Sequence, residues 1–128
     1  TGIFGLKDVS GVGISFGLDR IYLVLEELDL FKKVALPMPK VLFINFGESE
    51  AAYCMKAVHK LRLNNIKSEL YPDASKMKKQ MNYANRREIP FVVLAGTTEI
   101  KENKYTLKNM QSGDQQVCTI EELIKITQ

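Results

Sequence analysis

Nine of the chain's eighteen lysines and arginines fall between positions 56 and 87, where Glu69 and Asp73 are the only acids. That window carries +7, in a chain whose net charge is +3. Such a density of cations suits phosphate neutralisation, the term that drives nucleic-acid binding. Charge alone fits a solvated lysine face equally well, so a second signal is required. A different constellation opens the stretch "GVGISFGLDRIYLVLEEL" at position 11, where Gly11, Gly13 and Gly17 lead into an apolar segment carrying Asp19 and Arg20. Neighbours in sequence do not share a helix face, so Asp19 does not explain Arg20 as an intrahelical partner. Metal chemistry has little to use. Cys54 and Cys118 form no CxxC, and the single histidine, His59, lies beside Val58 and Lys60 with no acid or cysteine to pair with. Four zinc ligands at recognisable spacing are missing. The cysteines read as reduced, packed thiols of a cytoplasmic protein.

The elements that must position these groups come in two unequal pieces. At 128 residues, 45% hydrophobic and 26% charged, the composition is that of an ordinary soluble globular chain. Its longest apolar run falls far short of the ~20 residues needed to cross a bilayer, so no membrane association is expected. No charged-then-apolar leader opens the sequence. It begins at Thr1 directly in structured-looking sequence, which reads as a piece of something longer. The seam is "KKVALPMPK", where two prolines resist both helix and central strand. The expected division is therefore residues 1–33, a linker over 34–39, and an α/β unit over 40–128.

Within 40–128, "VLFINF" (41–46) and "FVVLAG" (91–96) are continuous apolar runs, the habit of strands buried on both faces. A helix is predicted over about 49–64, with Ala51, Met55, Val58 and Leu61 as its stripe. "IKSELYP" (66–72) alternates as an edge strand would. A second helix over about 74–88 shows only Met77, Met81 and Ala84 as apolar positions. "KYTLKNM" and "QQVCT" flank Ser112-Gly113-Asp114, a hairpin signal. Thr119 and Glu122 fit a capping box that starts a last helix, with Ile120, Leu123 and Ile124 inward. The predicted fold is α/β: a mainly parallel five-stranded sheet, helices on both faces, and a C-terminal antiparallel hairpin.

Residues 9–17 alternate like a strand, and 18–31 read as a helix with Leu18, Ile21, Tyr22, Leu25 and Leu28 on one face. Leu23, Val24 and Phe31 widen that face, so burial by partners on several sides is expected. At ~25 cal/mol per Å² of apolar surface, leaving it bare is costly. Self-association through 9–31 is one way to cover it.

On "GVGISFGLDR" the chain resembles motif 3 of the class II aminoacyl-tRNA synthetases, and in detail their histidyl family. The longer run "TGIFGLKDVSGVGISFGLDRIYLVLEEL" is similar to that family's passage through motif 3. "KKQMNYANRREIPFVVLAGTTEIKENKYTLKNMQSG" is similar to the second helix, third strand and hairpin of the anticodon-binding domain shared with the glycyl, threonyl and prolyl enzymes. The resemblance spans essentially the whole chain. It implies a strand–helix stub ending a class II catalytic core (1–33), followed by an anticodon-binding domain (40–128).

The resemblance implies an enzyme that activates histidine with ATP, assisted by Mg2+, and transfers it to tRNA(His). It implies a homodimeric parent. It assigns Arg20 to the ATP triphosphate, where a permanently charged fork stabilises a leaving pyrophosphate. It assigns Gly17, and with it Gly13, to the floor beneath the adenine, where a Cβ would obstruct. Motifs 1 and 2 and the histidine pocket are absent, so this polypeptide alone is expected to be inactive and to bind no cofactor. Anticodon bases lie unpaired in a loop and are read by stacking and edge hydrogen bonds. The helix over 74–88 offers Gln80 and Asn82 as amide readers, and Lys76, Lys78, Lys79 and Arg86 for phosphates. Tyr83 reads either as a stacking platform or as a partly buried aromatic beside Met81. A non-catalytic synthetase-like regulatory or dimerisation module is the alternative; an intact motif 2 upstream would separate the two.

Overall fold

The computed structural model describes residues 13–33 and 38–128. The chain falls into two units, Thr1–Leu36 and Pro37–Gln128.

In the first unit, helix α1 covers Leu18–Glu27 and a single 3-10 turn covers Leu30–Lys33. One continuous helix to position 31 was expected. It breaks because Asp29 adopts a left-handed φ of 56°, and Lys32 closes the turn with an ion pair to Asp29 at 2.7 Å. Residues 13–17 form no strand. A lone extended segment has no neighbour to accept its backbone hydrogen bonds, so alternation alone does not make one. The rest of that expected strand, with Gly11, lies outside the described residues. No side chain of α1 is buried: Leu18 and Leu23 are strongly exposed, as is Leu28 just beyond it, and the Tyr22 ring lies against that of Phe31, with centroids 5.1 Å apart.

The second unit contains β1 (Val41–Phe43), α2 (Glu48–Leu63), β2 (Ser68–Leu70), α3 (Met77–Arg86) and β3 (Phe91–Leu94). It continues with α4 (Thr97–Glu102), β4 (Tyr105–Asn109), β5 (Gln115–Cys118) and α5 (Ile120–Thr127). The sheet order is β2-β1-β3-β4-β5. β1 pairs in parallel with β2 and β3, whereas β3–β4 and β4–β5 are antiparallel. The sheet is therefore mixed rather than mainly parallel. Parallel pairing needs a crossover of a dozen or more residues. The connection from Leu94 to Tyr105 is shorter, and α4 with the left-handed Asn103 turns the chain straight back alongside β3.

The apolar runs explain the centre of the sheet. Val41, Phe43 and Val93 point into a core with Cys54, Val58 and Leu61 of α2 and Leu123 of α5; Leu42, Ile44 and Val92 point into a second core with Ala84. Central strands feed both layers, so they cannot alternate with polar residues. The helix stripes are rotated from those expected. On α2 it is Cys54, Ala57, Val58 and Leu61 that are buried, while Met55 is 47% exposed; on α3 Met77 is 44% exposed and Gln80 takes an inner position. Ile124 is half-buried, and Thr127 occupies the inner face of α5 with its hydroxyl donating to Leu123 O. The capping box at Thr119 is formed in both directions, at 2.8 and 3.3 Å. Helix α4 was not foreseen. Two β-branched threonines mask it, although Glu99 Oε2 accepts from Gly96 N–H at 3.0 Å in capping-box fashion.

Candidate nucleic-acid interface

Helix α3 decides where the cations of the central window go. Its inner face is Gln80 and Ala84, and the 3.6-residue period sends Lys78, Lys79, Asn82 and Arg86 outward. With Lys76, Tyr83 and Tyr71 these side chains line one cleft of about 490 Å³. Six of the seven expected RNA-contacting residues thus share a single groove, and Tyr71 joins them from the end of β2. Among the described residues the ion pairs are Lys32–Asp29 and Lys104–Glu102, so none of the groove's four cations is neutralised by a neighbour.

The lysines stand where the helix gains least from them. Lys76 is the N-cap, Lys78 and Lys79 are in the first turn, and no acid accompanies them. Cations at the positive end of a helix dipole are disfavoured, while backbone N–H groups there attract anions. Helix stability does not account for this arrangement.

Tyr83 is half-buried, and its hydroxyl is engaged on both sides. It donates to Glu69 Oε1 at 3.0 Å and accepts from Arg87 Nη1 at 3.2 Å. The Arg87 guanidinium lies 5.5 Å from the ring centroid, and Tyr71 meets the ring edge-on at 5.3 Å. Burial first, then the Glu69 bond and charge, push the Tyr83 hydroxyl up, against the opposing pull of Arg87, so it remains a donor. Tyr83 offers the groove a ring locked in place.

Gln80 does not face the groove. It is fully buried, its Oε1 accepting from Asn45 N–H at 2.9 Å and its Nε2 donating to Asn45 O at 2.8 Å and Ser75 O at 2.7 Å. An amide on the inner face of a helix must find such partners, and once it has them it cannot read a base. The role of amide reader expected for Gln80 is therefore corrected, whereas Asn82 is exposed in the cleft.

Beyond α3 the sheet lies open. The register puts Thr106 and Lys108 on the face of Leu94 and Val92, with Val117 and Gln115 beside them, and Val117 is 61% exposed. Glu99 borders this strip and accepts from Thr106 Oγ1 at 3.0 Å. Its backbone amide, Thr106 and Gly96 outweigh partial burial and hold its carboxyl below the usual glutamate range. Sequence reasoning passed over Tyr71, Glu69, Arg87 and Asn45. Asn45 alone left a signal, as one polar residue inside an apolar run.

The first unit presents its candidate residues separately. Arg20 is exposed in the first turn of α1, and Gly17 precedes it in extended conformation. A Cβ at Gly17 would rest in ordinary contact with the Arg20 side chain at 3.6 Å, and at Gly13 it would meet nothing within 4 Å. Packing within the described residues requires neither glycine. His59 is exposed, and Cys54 and Cys118 are buried free thiols. Burial, reinforced by Glu50 and Glu122 respectively, pushes them up to about 12 and about 11. No group of three or more His, Cys, Asp or Glu gathers among the described residues to hold a metal ion, and no described helix is long and apolar enough to cross a membrane.

The second unit is an α/β domain with a mixed sheet, and its helix α3 carries cations without ion-pair partners beside a hydrogen-bonded tyrosine. The family model described as anticodon binding domain matches residues 40–128, and the chain belongs to that family. The chain is 68% identical over 115 residues to a histidine–tRNA ligase of Christiangramia forsetii, covering 90% of this chain and 25% of that protein. It is 53% identical over 126 residues to the histidine–tRNA ligase of Phocaeicola vulgatus, covering 98% of this chain and 28% of the relative. The chain thus spans about a quarter of the length of the curated relatives it matches. Among solved structures, apo histidyl-tRNA synthetase from S. aureus aligns with a TM-score of 0.62 at 29% identity, over 86% of this chain and 28% of that one. The histidyl-tRNA synthetase of a Nostoc species shares the fold with a TM-score of 0.67 at 24% identity, over 87% and 27% of the two chains.

Proposed function

We propose that the chain is the carboxyl-terminal part of a histidine–tRNA ligase, and that residues 40–128 bind the anticodon stem-loop of tRNA(His). The groove carries this reading: four unneutralised cations, an exposed amide and a fixed aromatic ring on one helix. Lys76, Lys78, Lys79 and Arg86 hold phosphates, Asn82 meets a base edge, and Tyr83 supports an unstacked base, the combination that single-stranded RNA demands. The open strip with Thr106 and Lys108 extends the contact on the other side of α3.

In the intact enzyme the reaction is activation of histidine by ATP, with Mg2+, then transfer to the 3′ end of tRNA(His). Arg20 would hold the triphosphate there, and Gly13 and Gly17 would leave room for the nucleotide. Its exposed guanidinium and the two glycines that packing does not require are in keeping with this role. The parent is a cytoplasmic homodimer, and α1 is covered in it by the rest of the catalytic core. The chain alone does not catalyse the reaction.

The test is a titration of the chain with the anticodon stem-loop of tRNA(His) and with a non-cognate one, across salt. With four phosphates neutralised, the plot of log affinity against log salt should slope by about −3. Equal affinity for both stem-loops, or a flat salt response, would overturn the proposal.

A further inference from the structure

We propose that Gln80 and Asn45 act together as a positioning clamp that sets the geometry of the groove, an inference that rests on the anticodon-binding reading. Gln80 contributes to both faces of the backbone at Asn45, taking its N–H at 2.9 Å and giving to its carbonyl at 2.8 Å. Its second N–H goes to Ser75 O at 2.7 Å. The Asn45 side chain spans the same region from the other direction. Its Nδ2 donates to Tyr71 O at 3.1 Å and Pro72 O at 3.4 Å, and its Oδ1 accepts from Gly47 N–H at 3.1 Å. Two side-chain amides therefore fasten the end of β1, the loop 71–75, the first turn of α3 and the approach to α2.

Tyr71 anchors one end of that loop, buried and donating its N–H to Phe43 O at 3.0 Å, but the middle of the loop is not packed. Pro72, Asp73 and Ala74 are exposed, and the α3 N-cap, Lys76, makes no side-chain cap hydrogen bond. Yet this loop and turn carry Tyr71, Lys76, Lys78 and Lys79 into the cleft. A leucine would fill the inner position of α3 by packing alone. An amide there is costly to bury and is stable only in one arrangement of its partners, so it specifies where the turn stands. The sequence "MKKQMNYANR" accordingly puts its reading groups outside and its one buried amide beneath them.

The experiment compares the wild-type chain with Gln80→Glu, which keeps the volume but loses both donations, and with Gln80→Leu. Leu123→Val, in the core on the opposite face of the sheet, serves as a comparably destabilised control. Amide exchange and backbone order over residues 45 and 71–79 are measured by NMR, together with affinity for the tRNA(His) anticodon stem-loop. Gln80→Leu, which also removes the acceptor, should lose protection at the Asn45 amide, and both Gln80 variants should lose order over 72–79 and bind about tenfold more weakly with a shallower salt slope. Leu123→Val should retain the affinity within about twofold. Gln80 variants that bind as well as wild type, or no worse than Leu123→Val, would overturn the clamp. If the wild-type chain fails to prefer its stem-loop, the anticodon reading falls and the clamp is judged on the NMR alone: wild-type order at 45 and 72–79 in Gln80→Leu would sink it.

Discussion

The hydroxyl of Tyr83 donates to the Glu69 carboxylate at 3.0 Å, tying helix α3 to β2, the edge strand of the sheet. The bond fixes the ring, and the ring is what a base would use. Tyr83→Phe should lower stability by about 1 kcal/mol, the usual net worth of one such bond, and barely change stem-loop affinity. Tyr83→Ala removes the platform and should cost about 1–3 kcal/mol of binding, as loss of a base–aromatic stack does. Isothermal titration and thermal melts of the two variants separate these effects; equal binding losses would remove Tyr83 from the interface.

Replacing Lys78 and Lys79 together with glutamine should weaken RNA binding at low salt and reduce the salt slope by about 1.4. The same change should leave the melting temperature unaltered or slightly raised, because these cations oppose the α3 dipole. A loss of stability alongside unchanged binding would reverse the assignment.

Arg20→Gln in the full-length enzyme should slow ATP–pyrophosphate exchange by about 10²–10³, the usual cost of removing one such donor. The tRNA affinity should hold, because none of the side chains that line the α3 cleft is changed. Normal exchange would remove Arg20 from the ATP site.

Acid should act partly through Glu99. Its folded-state carboxyl is held below the usual glutamate range, so its contribution to stability is complete above about pH 5 and fades as pH falls through the ordinary value near 4.3 and on through the depressed one. Glu99→Gln should be less stable at pH 7 yet lose less on going from pH 5 to pH 3, by chemical denaturation at each pH. An equal loss in both proteins would refute the link.

The thiols of Cys54 and Cys118 are buried and pushed up to about 12 and about 11, so at pH 8 neither presents a thiolate. A thiol reagent should label the native chain only at the rate of unfolding and label both at once in denaturant. Rapid native labelling would contradict their packing.

The legible and illegible parts of this protein divide along a physical line. β1 and β3 could be read because burial on both faces leaves a local mark, an unbroken apolar run. The α5 start could be read because a capping box is complete within four residues. α4 was missed because its threonines are poor helix formers and the turn at Asn103 depends on backbone angles.

By itself the sequence determined the order of the second unit's strands and of its helices other than α4, the basic window and the outward run of cations on α3, since these depend on composition and on local periodicity. Only the tertiary structure decided that β4 returns antiparallel to β3, that Tyr71 and Tyr83 meet edge to edge, and that Gln80 turns inward to Asn45 while Asn82 stays in the cleft. Two amides two residues apart on one helix look alike as letters. Which of them is buried depends on the phase of the helix against a sheet whose strands are distant in sequence, and a buried amide must satisfy its hydrogen bonds before it can serve a ligand.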